Sequence, residues 1–280
     1  MQTTRRHLLA ALPAVLVAPL LPGCATQPPE RSDFKPVVGQ AGKDVIWVPT
    51  PDAVVDRMLD LAEVKRGERV VDLGSGDGKI AIAAAKRGAR ARGIEYNADM
   101  VALSRRNARA AGVDVDFQQG DIFQVDFRDA DVVTLYLLPT LNERLRPILL
   151  DMKPGTRVTS HQFRMGDWQP DRTDELSGRE AHLWIVPAKV GGAWMVRVGD
   201  DAPIRVEMQQ QFQKVEGHAM MGSNRVPLQV VRLRGPAIEF ELPSGGGALR
   251  FAGTADAAGR IQGTVTTANG QRRPFTATRA

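Results

Sequence analysis

Val70-Val-Asp-Leu-Gly-Ser-Gly-Asp-Gly78 decides how this 280-residue chain is read. Arg69 to Leu73 has the length and apolar character of a short buried strand, and glycines at 74, 76 and 78 follow it at once. The Ala-rich run Lys79–Lys86 reads as a helix, Arg90–Glu95 as a second strand and residues 98–111 as a second helix. Strand, turn, helix and strand at this spacing make a βαβ unit. Its glycines permit a tight turn and bring backbone N–H groups close to a ligand. Glu95 ends the second strand, 17 residues after Gly78, where a carboxylate is placed to accept hydrogen bonds from ribose hydroxyls.

The turn is Gly-x-Gly-x-Gly, whereas a dinucleotide site has Gly-x-Gly-x-x-Gly. Asp72 precedes it by two residues and Asp77 lies inside it. Carboxylates so placed would repel a pyrophosphate but attract the ammonium of a cofactor built on an amino acid. The motif therefore points to S-adenosylmethionine.

Val70 to Gly78, followed by Gly93-Ile-Glu-Tyr96 and Gly120-Asp-Ile122, resembles the class I, seven-stranded S-adenosylmethionine-dependent methyltransferases over residues of about 45–188. Trp47-Val-Pro-Thr-Pro51, Asp72-Leu-Gly-Ser-Gly-Asp-Gly-Lys79 and Leu135-Tyr-Leu-Leu-Pro139 are similar to the subgroup containing the ATP synthase c-subunit lysine methyltransferases. The resemblance implies an α/β fold, a Rossmann-like sheet with helices on both faces. It implies that Gly74, Gly76 and Gly78 line the methionine and ribose portions of the cofactor, and that Asp72 orients its amino-acid end. Glu95 would bind the ribose diol, with Tyr96 against the adenine, Asp121 accepting from the adenine amino group and Ile122 packing on the ring. Thr134, Tyr136 and Pro139 would face the methyl group, with Tyr136 orienting the acceptor. The subgroup implies a protein lysine as that acceptor.

Outward from the motif, residues 51–62 read as a helix with Thr50 as its cap and Pro51 at its first position. Residues 131–138 read as a central strand, Thr140 as the cap of a helix running to Leu150, and residues 156–163 as the next strand. Only about 17 residues separate Phe163 from the strand starting at Ala181, so a hairpin of residues 173–176 with 181–187 is expected in place of another helix. His161 reads as a structural histidine near the site, with a base there as the alternative, and Asp167 and Trp168 sit in a loop able to cover the pocket. The Asn-Pro-Pro-Tyr tetrapeptide of many amino-group methyltransferases is absent, as are metal-ligand spacings.

Arg5-Arg6 followed by the apolar run of residues 8–21 resembles a twin-arginine export signal. Those fourteen residues would span about 21 Å as helix, short of the roughly 30 Å hydrocarbon core. Leu21-Pro22-Gly23-Cys24 resembles a lipobox, although Pro22 departs from the small residue usual there. The expected organisation is an export signal (1–23), a tether (24–44), the methyltransferase domain (45–188) and a β-domain (191–280). Location follows as the periplasmic side of a bacterial envelope, membrane-bound through a lipid on Cys24, or the cytoplasm if the signal is not processed.

Beyond Gly191-Gly192, short alternating runs separated by Gly, Asp, Ser and Asn clusters predict a small antiparallel barrel or sandwich. The net charge of +5 divides into +2 for residues 1–23, −1 for 24–190 and +4 for 191–280. A neutral central domain lacks a phosphate-tracking field, so nucleic acid is not an expected partner. The single Cys excludes an intrachain disulfide framework. Two other readings stand beside the protein methyltransferase: an envelope binding or scaffold protein that holds the cofactor without turnover, and a small-molecule methyltransferase.

Overall fold

The βαβ core forms where the motif places it. In the computed structural model, which describes residues 34–256 and 258–280, α1 spans Asp52–Leu61, β1 Arg69–Leu73, α2 Lys79–Lys86, β2 Arg90–Glu95 and α3 Ala98–Ala110. β3 (Val115–Gln119), β4 (Val132–Leu135), α4 (Pro139–Leu150), β5 (Arg157–His161), β6 (Arg172–Leu176) and β7 (Arg179–Ile185) complete the first sheet. The export signal, the lipobox and Cys24 lie outside the described residues.

The strand order is β3-β2-β1-β4-β5-β7-β6. β1 pairs in parallel with both β2 and β4, so the order reverses between β1 and β4, the switch point at which open α/β sheets bind ligands. β7 runs antiparallel to both β5 and β6, the expected hairpin. Apolar faces of α1, α2 and α3 bury one side of the sheet, with Met58, Leu59, Ala81 and Ala84 inaccessible. Leu141, Leu145 and Leu149 of α4 cover the other side, joined by Phe127, Met165 and Trp168 from loops. The connections β3–β4 and β5–β6 carry no helix, so loop side chains do that covering.

Three expectations need correction. Thr50 does not cap α1: the helix begins one residue later, with Pro51 at the cap, and Thr50 Oγ1 lies 3.3 Å from His161 Nδ1 instead. Thr140 does not cap α4, because Pro139 at the first position starts that helix and Leu138 precedes it. The described part of the expected tether, from residue 34 on, is not a free linker. From Val37 to Trp47 the chain doubles back as a strap, tied by Gly39 N–H to Trp47 O (2.9 Å), Trp47 N–H to Gln40 O (2.8 Å) and Gly42 N–H to Val45 O (2.8 Å).

The C-terminal strands are β8 (Gly192–Val198), β9 (Ile204–Gln211), β10 (Lys214–Met221), β11 (Asn224–Pro227), β12 (Gln229–Arg234), β13 (Ala237–Ser244), β14 (Gly247–Ala255), β15 (Arg260–Thr266) and β16 (Arg272–Arg279). They form one antiparallel sheet in the order β11-β10-β9-β8-β16-β15-β14-β13-β12. Its two ends, β11 and β12, are consecutive in the chain, and Leu228 between them donates to Gly217 O at 2.9 Å. The sheet is therefore a nearly closed barrel. Alternate residues point inward, among them Trp194, Val206, Phe240, Phe251 and Phe275, and fill it. The sequence reading placed no run over β10 and missed β11 as well, since its next run, residues 227–233, begins at the last residue of β11.

The barrel packs against the first sheet. Ala188 N–H donates to Gly235 O (2.8 Å), Gln210 Nε2 to Ala188 O (2.8 Å) and Gln213 Nε2 to Gln169 O (2.8 Å). Phe212 stacks on Trp168, ring centroids 6.1 Å apart.

Candidate active site

A cavity of about 330 Å3 opens at the carboxyl ends of β1, β2 and β4. The turn after β1 forms its floor. Gly74, Gly76 and Gly78 all have positive φ, at 75°, 54° and 83°. Gly74 and Gly76 line the cavity, and a Cβ on Gly76 would stand 2.9 Å from Trp47 Nε1. Gly78 does different work. It precedes α2, and a Cβ there would come within 2.5 Å of Phe117 Cζ and 2.8 Å of Ser104 Cβ, so it serves helix-to-sheet packing rather than the cavity lining.

Asp72, at the end of β1, is 2% exposed and lines the cavity. Thr134 lies opposite it on β4, and Thr134 Oγ1 donates to Asp72 Oδ1 at 2.6 Å. Burial pushes the Asp72 carboxyl up to about 7, with the neighbouring charges of Asp77 and Glu95 adding to the effect and the Thr134 bond opposing it. Burial also raises Asp77, against hydrogen bonding from the Lys79 amide. Glu95 accepts from Gly76 N–H through Oε2 and from Asn97 N–H through Oε1, both at 2.9 Å, which ties the end of β2 to the glycine turn.

At the other end, Tyr96, Asp121 and Ile122 line the wall. Asp121 Oδ1 accepts from Phe123 N–H (2.9 Å) and Oδ2 from Lys43 Nζ (2.8 Å). The Lys43 bond, followed by that of the Phe123 amide, holds the Asp121 carboxyl below the usual carboxylate range. Lys43 Nζ also sits 4.5 Å from the centre of the Tyr96 ring.

Tyr136 lines the cavity just beyond β4, its ring 4.0 Å from His161 and 6.1 Å from Phe163, centroid to centroid. The expectation for its neighbours is corrected. Thr134 is fully buried with its hydroxyl on Asp72, and Pro139 is the exposed first residue of α4. β4 ends at Leu135, three residues before the expected boundary. Burial lowers His161 to about 4, so it is neutral at pH 7 and packs behind Tyr136. Trp168 is buried behind β7, its carbonyl accepting from Trp184 Nε1 at 2.8 Å, and Asp167 pairs with Arg146.

A family model described as the ANTKMT methyltransferase domain matches residues 72–172. A protein-lysine N-methyltransferase from Saccharolobus islandicus is 44% identical over 131 residues, which cover 45% of this chain and 81% of that protein. A solved structure described as an RNA methyltransferase from Salinibacter ruber in complex with S-adenosyl-L-homocysteine is 53% identical. That likeness covers 51% of this chain and 96% of the other, with a TM-score of 0.50. The chain belongs to the class I S-adenosylmethionine-dependent methyltransferases. The ATP synthase c-subunit lysine N-methyltransferase of Mus musculus is 36% identical to this methyltransferase, over 45% of this chain and 52% of the mouse protein.

The cavity of this methyltransferase suits its cofactor on physical grounds. Asp72 is a buried carboxylate in want of a cation, and an α-ammonium group supplies one. Ser75 Oγ lines the cavity, is buried and has no hydrogen-bond partner. Gly76, where a Cβ would press on Trp47, keeps bare backbone at the cavity surface. Among the lining residues, Lys43, Trp47, Thr50, Ser75 and Phe163 had no site role assigned from the sequence. Trp47 and Thr50 were marked only as part of the Trp47–Pro51 motif shared with the subgroup, and nothing marked Lys43.

Proposed function

We propose that this enzyme methylates the side-chain amine of a protein lysine. The observation that carries the reading is the likeness to the protein-lysine N-methyltransferase, of which the chain covers 81%. When bound, S-adenosylmethionine supplies an electrophilic methyl group. On this reading Asp72 holds its ammonium, Gly74 and Gly76 let the backbone approach, Glu95 takes the ribose hydroxyls, and Tyr96, Asp121 and Ile122 take the adenine. A lysine amine must arrive neutral, desolvated and in line. Tyr136, held by His161 and Phe163, orients it with its hydroxyl as hydrogen-bond partner. His161, neutral at pH 7, sets no positive charge behind the Tyr136 ring.

The likeness to the Salinibacter ruber RNA methyltransferase favours a second acceptor, RNA. One assay separates them: the full chain with methyl-labelled cofactor, envelope protein and total RNA from the source cells. Label recovered as methyl-lysine after protein hydrolysis is expected, and label confined to RNA would refute the lysine reading. Tyr136→Phe should cut turnover at least tenfold, about the value of one hydrogen bond in the transition state, while leaving S-adenosylhomocysteine affinity unchanged.

Export and anchoring belong to the same proposal, supported by Arg5-Arg6, the apolar run and Cys24. Cys24→Ala should move the protein from the membrane fraction to the soluble fraction. Unaltered membrane association would argue against a lipid on Cys24.

A further inference from the structure

The cofactor end walled by Tyr96 and Asp121 contains a cation from outside the matched region of residues 72–172. Two lysines line the cavity, and Lys79 is already paired with Asp52 of α1 at 2.8 Å. Lys43 is the one at the Asp121 end, 2.8 Å from Oδ2 and 4.5 Å from the centre of the Tyr96 ring. The strap fixes where this side chain starts, since Gly39, Gln40, Gly42, Val45 and Trp47 are bonded to one another through their backbones and Ala41 bridges Ile46.

We propose that Lys43 is a cofactor-binding residue, delivered by the strap, which with Asp121 forms a donor–acceptor pair that reads the edge of the adenine ring. The proposal rests on the assignment of this end of the cavity to adenine. Adenine presents an amino donor beside a ring-nitrogen acceptor. The Asp121 carboxylate and the Lys43 ammonium, side by side, present the complementary acceptor and donor, as a side-chain amide does when it pairs with adenine. An ammonium has three N–H donors, so its bond to Asp121 leaves donors for the ring nitrogen. A 6-oxopurine reverses both edge groups: its oxygen would face the Asp121 carboxylate, and its N1–H would face the Lys43 ammonium where adenine offers a bare nitrogen. Lys43 is thus a specificity residue as well as a binding one.

Calorimetric titration of S-adenosylhomocysteine and S-inosylhomocysteine into the full chain tests this. The unaltered protein should prefer the adenine compound. Lys43→Ala and Lys43→Met should each weaken S-adenosylhomocysteine binding roughly tenfold or more, the value of a charged hydrogen bond. Both should also narrow the preference over the inosine compound. Unchanged affinity in both variants would overturn the role of Lys43. Tighter binding would overturn it too, because the lysine would then be an internal competitor for the adenine place. Failure of the unaltered protein to bind either compound would overturn the cavity assignment, and this proposal with it.

Discussion

Asp72 shows how one residue can carry both the chemistry and the acid sensitivity of the site. It is buried beneath the glycine turn with Thr134 as its hydrogen-bond donor, and burial lifts it to about 7. Only the ionised carboxylate can pair with an ammonium, so the cofactor must drive off the proton below that pH. Cofactor affinity should therefore fall as pH drops below 7, approaching tenfold per pH unit. The free protein behaves in the opposite sense. A carboxyl with an ordinary value of 3.8 binds a proton more tightly when folded, so its contribution to stability is lost as pH rises from about 4 to 7. S-adenosylhomocysteine should then raise the melting temperature more at pH 8 than at pH 6. Asp72→Asn should bind weakly and show little pH dependence over that range. A pH-independent shift in the unaltered protein would remove Asp72 from the cofactor's ammonium.

At the scale of elements, legibility followed locality. β1, α2 and β2 were readable with their bounds because each is set by its own pattern, an apolar run, a glycine turn or an alanine-rich helix. Asp72, Glu95, Gly74 and Gly76 came with them, since the motif that sets the turn also lines the cavity. Thr134 was readable as a residue but not as a partner of Asp72, because that depends on the register between β1 and β4. β10 went unread because only Val215 and Ala219 of its eight residues are buried, too few for an alternating signal. It forms through its pairing with β9, from Lys214 opposite Gln211 to Met220 opposite Arg205. The strap was hidden for the same reason. Its glycines and polar residues have the composition of a linker, and the partner of Lys43 lies 78 residues away.

The whole molecule couples the barrel to the acceptor side of the cavity through one loop. Gln162, just past β5, adopts φ 67°, a strained conformation for a residue other than glycine, and the chain turns there to bring Phe163 into the cavity. Just beyond, Met165 and Trp168 enter the core beneath α4, and Phe212 from the β9–β10 turn of the barrel stacks on Trp168. Arg146 of α4 lies over the same Phe212 ring while donating to Met165 O at 2.9 Å. The barrel thus braces the segment that carries Phe163, whereas the cofactor wall is built from β1, β2 and the strap. Phe212→Ala removes a partly buried ring from this junction and should cost about 1–3 kcal/mol of stability, at or below the range for losing a core aromatic. At a temperature where the variant remains folded, methyl transfer to the acceptor should slow while S-adenosylhomocysteine binds with unchanged affinity. Denaturant unfolding gives the first quantity, and turnover measured beside calorimetry gives the second. Equal losses of turnover and cofactor affinity would mean that the barrel supports the whole fold evenly. A selective loss of turnover would make it a brace for the acceptor side.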